Sequence, residues 1–226
     1  MCCPHAIDDV AFLYVHALTD RRPLTWTVNG RRIQSVPVGS IFAVGERRAE
    51  APHVSEEELR FQHRVVAGIA SRVPAILPAR FGSLIEDKTL EAIVRQSASV
   101  IDEAMTLVRG RAQMTLRTAS KPVRRVDPTT VSARSPGAHV TGKQYLELLR
   151  QRNSPPLSSR LESAIARTSG CVVAERRQTT PAGNVAVYHL LNRADVEEYR
   201  RALGAVDGLA LSGPWPPFAF VPELWS

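Results

Sequence analysis

The stretch Cys171–Asn192, CVVAERRQTTPAGNVAVYHLLN, decides the fold class. Cys171–Gln178 and Val185–Leu191 are rich in strand-forming residues, and Thr-Thr-Pro-Ala-Gly-Asn between them is turn chemistry, so the pair reads as two adjacent strands. Upstream, Ser154-Pro155-Pro156 breaks one helix and can start another carrying Leu157, Leu161 and Ile165. The helix before it opens at Thr141-Gly-Lys-Gln144, a capping-box pattern, and presents Tyr145, Leu146, Leu148 and Leu149. Further back, Ala112–Ala119 alternates through Met114, Leu116 and Thr118 and reads as a strand. Downstream, Asn192 caps a helix with Val196, Tyr199 and Leu203 on one face, and Leu209–Ser212 is a final short strand. The order from Ala112 onward is strand, helix pair, strand, strand, helix, strand, the ferredoxin-like order βαββαβ. The expectation is a ferredoxin-like second domain over residues 111–226. It carries a basic, aromatic-free segment at 118–140, read as a mobile exposed loop, and a Pro/aromatic tail at 212–226.

The preceding residues, 1–110, read as a separate α+β domain, so the fold class is α+β with two domains. Val10–Leu18 and Val36–Val44 read as strands, and Leu24–Ile33 contains Asn29-Gly30, a hairpin turn signal. Ser55-Glu56-Glu57-Glu58 is a second capping box, with Val54 placed as a hydrophobic staple and three carboxylates at the positive end of the helix dipole. That helix is expected to run to about Val73, with Leu59, Val65, Val66, Ile69 and Val73 on its buried side, and to stop at Pro74. Ala75–Phe81 reads as a short strand. A second helix is expected over Asp87–Arg109, where Leu90, Ile93, Val94, Ile101, Met105 and Val108 form one stripe.

Composition narrows the function. The chain has 226 residues with ordinary apolar and charged content, which excludes wholesale disorder, collagen and coiled coil. No apolar run approaches the ~20 residues of a spanning helix, and the N-terminus lacks a secretory pattern, so no membrane partner is expected and the default compartment is the cytoplasm. All but three of the 29 basic residues are Arg, and the net charge is +7. This permits an anionic partner without demanding one, since the arginines are scattered. The odd count of three cysteines fits a reducing compartment.

Catalytic signatures are missing: there is no Gly-x-Ser-x-Gly, His-Glu-x-x-His, Cys-x-x-Cys or phosphate-binding glycine loop. Neither Cys2-Cys3 with His5 nor the Glu56–Glu58 triplet requires a metal, because a chain end and a helix start explain them. His63 is a candidate general base without a nameable partner, and its structural reading, a His bonded to a neighbouring segment, is the simpler one. The expectation is therefore no enzyme, no metal and no cofactor. An enzymatic alternative would need a deep pocket joining His63 to Arg80. A nucleic-acid alternative would rest on the basic 118–140 segment, but the strands Ala112–Ala119 and Cys171–Gln178 carry no aromatic residue for base stacking. At the C-terminus, Trp215, Phe218 and Phe220 alternate with Pro214, Pro216 and Pro217. Such rings either fold back over the protein's own core or form a docking surface for an apolar partner.

Three motifs in order point to a family. Leu77-Pro78-Ala79-Arg80-Phe81-Gly82 resembles the "LPxRFG" segment of the gas vesicle protein L/F family. Thr141-Gly-Lys-Gln-Tyr145-Leu146 is similar to its "SGxxYL" helix start. Ser212-Gly213-Pro214-Trp215-Pro216-Pro217-Phe218-Ala219-Phe220-Val221 is similar to its closing "GPWPPYSFV". The first 50 residues lack the aromatic strand and Gly that open the family, and Gln113-Met114 stands where it usually has Glu and an aromatic residue. The resemblance implies a non-enzymatic accessory protein that helps form a gas-filled shell. Its partners would be the small, very hydrophobic shell protein and other accessory proteins, and its place would be cytoplasmic, at the gas vesicle. Within the motifs, Arg80 is expected to pair with Glu86 or Asp87 and to support stability, and Gly82 to allow the turn into the long helix.

Overall fold

A computed structural model of the chain describes residues 12–23, 25–118, 157–179, 184–204, 206 and 208–224. The loop expected at 118–140, beyond Thr118, and the helix expected to start at Thr141, with Tyr145, lie outside these residues. The chain is a mixture of helix and sheet and divides into two compact units, Met1–Gln113 with Trp215–Ser226, and Met114–Pro214. The closing segment from Trp215, expected with the second domain, belongs to the first unit.

The first unit holds β1 (Phe12–Thr19), β2 (Trp26–Val28), β3 (Arg31–Val38), β4 (Ile41–Arg48), β5 (Ile76–Pro78) and β6 (Leu84–Ile85). Their spatial order is β2-β3-β4-β1-β5, with β6 also paired to β1. Asn29 and Gly30, at φ 50° and 77°, form the predicted turn between β2 and β3. The single strand expected over Val36–Val44 is two strands. Gly39, at φ 60°, turns the chain so that Val38 pairs with Ile41. A run of apolar residues does not reveal such a turn, because both of its arms are apolar.

The pairing of β1 with β4 is shifted between Val15 and Ala17, so His16 is an extra, bulged residue. Opposite the bulge, Gly45 lies so close to β1 that a Cβ there would sit 2.2 Å from the Tyr14 carbonyl oxygen. Glycine is required by this approach of two backbones.

Helix α1 (Glu56–Ala70) starts as predicted, with the Ser55 hydroxyl accepting from the Glu58 amide at 3.2 Å. The rest of the capping box does not form. The Glu58 carboxylate is taken by Arg31, and Val54 is too exposed to staple anything. Leu59 is also exposed, and Phe61 takes its place in the stripe. Phe61, Val65, Val66 and Ile69 pack with Ala17, Ile33, Val44, Val73 and Ile76 into one core. Full burial of each such side chain stabilises by ~1.5–3 kcal/mol.

The helix expected over Asp87–Arg109 is two, α2 (Asp87–Gln96) and α3 (Ala98–Val108). Ser97, at φ −103° and ψ 16°, leaves helical geometry. The apolar stripe continues on both sides, with Leu90 and Val94 buried before the break and Ile101, Met105 and Val108 after it. Periodicity therefore carries no sign of the break.

The second unit contains a four-stranded sheet. Its elements are β7 (Arg111–Thr118), α4 (Ser159–Thr168), β8 (Ala174–Thr179), β9 (Val185–Asn192), α5 (Val196–Leu203) and β10 (Leu209–Trp215), and the strands lie in the order β10-β7-β9-β8. β8 and β9 pair antiparallel, as their sequence predicted. Helix α4 starts at Ser158, whose hydroxyl accepts from the Leu161 amide, rather than at Pro155-Pro156. Asn192 opens a short 3-10 turn, Arg193–Asp195, that leads into α5. The core is Leu116, Leu161, Ala164, Val187 and Leu203. Among the described residues no helix is long and apolar enough to cross a membrane.

Candidate functional site

Both β5 and β6 pair with β1, and residues 79–83 between them leave the sheet edge as a loop. The loop is pinned at both ends on the β1 bulge. The Ala79 amide donates to the His16 carbonyl and the Val15 amide to the Ser83 carbonyl, each at 2.8 Å. Gly82, at φ 90°, permits the tight return in which the Leu84 amide reaches the Gly82 carbonyl at 2.8 Å. A third attachment comes from below. The Tyr14 hydroxyl accepts from the Gly82 amide at 3.1 Å and donates to the Gln62 carboxamide oxygen at 2.6 Å. Gln62 in turn donates to the Ala79 carbonyl at 3.1 Å. Tyr14 and Gln62 are both buried, so one strand and one helix hold the loop by its backbone.

The loop presents three side-chain positions. Pro78 is buried at its base, Phe81 is half-buried with its ring edge-on to Tyr14 at 6.3 Å, and Arg80 is exposed. The pairing expected of Arg80 with Glu86 or Asp87 is corrected. Arg80 meets Glu223 at 3.1 Å, with the two side chains 68% and 80% exposed, and Asp87 is held by Arg47. An exposed pair of this kind contributes little stability. The loop, α2 and the closing segment together line an open groove of about 870 Å³, with Phe12, Phe81, Ile85 and Leu224 among its walls.

The closing segment divides its rings between the two expected readings. Pro216, Pro217, Phe220 and Leu224 are buried, so this part folds over the protein's own core. Phe218 stays outside, 41% exposed. The Ala219 amide donates to the Gln113 side chain at 2.7 Å, which gives Gln113 a role in seating the segment. Trp215 is half-buried against the exposed His63 ring, with centroids 5.3 Å apart and the rings edge to face. His63 lines a shallow depression on α1 with Glu56, Leu59, Arg60 and Arg64, and Arg80 lines the other groove. Gly213 and Pro214 precede this segment in the second unit, where Arg200 donates to the Gly213 carbonyl at 2.8 Å.

Beneath α1 lies a charged cluster that no motif announced. Arg31 donates to both oxygens of Glu46 and, at 2.9 Å, to both oxygens of Glu58, and its guanidinium lies 3.6 Å from the Phe61 ring centre. Burial would raise the Glu46 pKa, but the hydrogen bonds from Arg31 outweigh it and draw that pKa down to about 2. Arg48 approaches Glu46 and Glu58 at 3.7 and 3.6 Å. Arg31 stands 15 and 27 residues from its two carboxylates, so no local pattern could have found the bridge.

Residues 12–222 match the family described as gas vesicle synthesis protein GvpL/GvpF. The chain belongs to this family. A GvpL/GvpF member has a role in gas vesicle formation. The match starts at Phe12, the first residue of β1, so the opening strand with Phe12 and Tyr14 lies inside it. Two crystal structures share the fold. The gas vesicle protein GvpF from Anabaena sp. PCC7120 superposes with a TM-score of 0.67 at 12% identity, covering 94% of this chain and 98% of that one. GvpF from Microcystis aeruginosa gives a TM-score of 0.67 at 10% identity, covering 93% and 98%. No curated protein sequence matches the chain.

Proposed function

We propose that this chain is a non-enzymatic accessory protein of gas vesicle assembly, cytoplasmic and vesicle-associated, whose first unit binds the small hydrophobic shell protein and meets other accessory proteins. One observation carries the reading. Arg80, Phe81 and Gly82 of the family's internal segment, and Glu223 and Leu224 just past its closing motif, line one open, partly apolar groove on the first unit although they stand far apart in sequence. A shell subunit with a large apolar surface would aggregate if released alone, and a soluble protein with a complementary face could shield it until it joins the shell. The separate placement of His63 and Arg80 speaks for binding over a shared catalytic site. We further read the second unit as ferredoxin-like. Its support is the element order β7-α4-β8-β9-α5-β10 together with the strand order β10-β7-β9-β8.

The test is a co-expression pull-down of the full chain with the small shell protein of the same organism. Removing the closing segment would strip Phe220 and Leu224 from the core, so point variants at the exposed Phe218 and the half-buried Phe81 are the cleaner choice. Wild type should retain the shell protein at physiological salt, and Phe218→Asp and Phe81→Asp should each weaken retention at least about tenfold, the scale of an interface anchor. Failure of the folded wild type to retain it, or equal retention by both variants, overturns the reading.

A further inference from the structure

The bulge in β1 carries His16 into the interior of the first unit, where its side chain is fully buried. Its imidazole stands edge-on to the Tyr14 ring at 5.0 Å and tilted against Phe61 at 6.0 Å. Neither ring nitrogen has a hydrogen-bond partner. Nε2 points toward Glu46 but stops at 3.7 Å, beyond hydrogen-bond reach. The charged groups facing it are Arg31 on β3, Glu46 and Arg48 on β4, and Glu58 on α1. Tyr14 is the titratable neighbour on its own strand, and Ile76–Pro78 of β5 brings none.

With His16 neutral, two carboxylates balance two guanidiniums. A proton on the ring adds a third cation to a cluster in which Glu46, the nearest carboxylate, already has both oxygens on Arg31. To bond Nε2, Glu46 must shift toward the ring, which pulls on the bridge that Arg31 makes to α1. The same short piece of β1 also holds the family loop, through the His16 carbonyl at Ala79 and the Tyr14 hydroxyl at Gly82. The cluster and the loop's attachment therefore share one piece of β1 and, through Gln62, one helix.

We propose that His16 is an acid-sensitive latch, whose neutral ring keeps the Ala79–Ser83 loop fastened to β1 and whose protonation loosens it. The device is independent of which partner the loop meets. Burial pushes the His16 pKa down from its ordinary value. The latch is thus closed at neutral pH and opens only on acidification below the usual histidine range.

The experiment follows two signals in the full-length protein by NMR from about pH 7.5 down to about pH 4, namely the His16 ring resonances and the hydrogen-exchange protection of the Ala79 and Gly82 amides. Because each pH unit below a midpoint lowers the neutral fraction about tenfold, protection at 79 and 82 should fall by at least about tenfold with the same midpoint as the His16 ring. His16→Gln should leave that protection independent of pH over the same range. Should the variant not fold, coincidence of the two wild-type midpoints decides alone. The proposal is overturned if protection at 79 and 82 is unchanged while the His16 ring titrates. It is equally overturned if the loss tracks His189 instead, or if it persists in a folded His16→Gln protein.

Discussion

His16 in the first unit and His189 in the second are both fully buried, yet their surroundings treat the ring in opposite ways. His189 has a partner on each nitrogen, the Tyr199 hydroxyl at 2.8 Å from Nδ1 and the Glu175 carboxylate at 3.0 Å from Nε2. An ionised carboxylate only accepts, so Nε2 carries the proton and Nδ1 accepts from Tyr199. Glu175 is steadied in turn by Arg177 at 2.6 Å. His16 has no hydrogen bond at either nitrogen. Its nearest carboxylate is already committed to Arg31. Burial lowers the pKa of both rings, but only the His189 ring is part of a complete chain of donors and acceptors. Burying a polar ring and satisfying it are separate achievements, and the two units differ in the second.

The strongest way to break the comparison is to remove the anion that the first cluster is built on. Glu46→Ala leaves Glu58 as the one carboxylate facing the half-buried Arg31 and Arg48, and should cost about 3 kcal/mol in urea unfolding. A loss below about 1 kcal/mol, the range of an exposed pair, would show that the cluster does not organise the unit.

The next contrast sets the histidines against each other. Tyr199→Phe strands Nδ1 of His189 and should cost ~1–3 kcal/mol, whereas His16→Leu removes no hydrogen bond and should change stability by less than about 1 kcal/mol or raise it. Both native pKa values lie below the unfolded value, so the unfolded chain binds more protons under acid. The stability each histidine contributes is complete above the ordinary value of about 6.5 and is lost as pH falls below it, at up to ~1.4 kcal/mol per pH unit for each ring. Glu46, at about 2 in the folded protein, acts lower, its contribution being lost from about pH 4.5 downward. His16→Leu should therefore flatten stability against pH between about 6.5 and 5, and an unchanged slope would sink the assignment.

The smallest effect is expected at the loop tip. Arg80→Ala breaks only an exposed ion pair and should shift stability by less than about 1 kcal/mol. A full loss of vesicle formation with an unchanged melting temperature would make Arg80 a contact residue, while a large drop in melting temperature would return it to the structural role first expected.

Sequence reading recovered elements whose cause is local. Ser55 and Glu58 lie three residues apart, Asn29-Gly30 is a turn in itself, and the hairpin of Ala174–Asn192 needs only its own strands and turn. It missed breaks hidden inside uniform patterns, the turn at Gly39 and the kink at Ser97, because hydrophobicity is unchanged on either side of each. It also named the site residues from motifs without seeing what holds them. Tyr14, Gln62 and Gln113 fix the loop and the closing segment through bonds spanning 17 to 106 residues, and no spacing rule reaches so far.

By itself, then, the amino-acid order determined the mixture of helix and sheet, the family, and the positions of most helices and strands, since propensity, capping and turn chemistry act within a few residues. Only the tertiary structure decided that the closing segment returns to the first unit, that Arg80 meets Glu223 across 143 positions, and that His16 is buried without a partner. Each of these depends on which surfaces meet once the chain has collapsed. The free energy of that meeting comes from burial and hydrogen bonding between groups that the sequence keeps far apart.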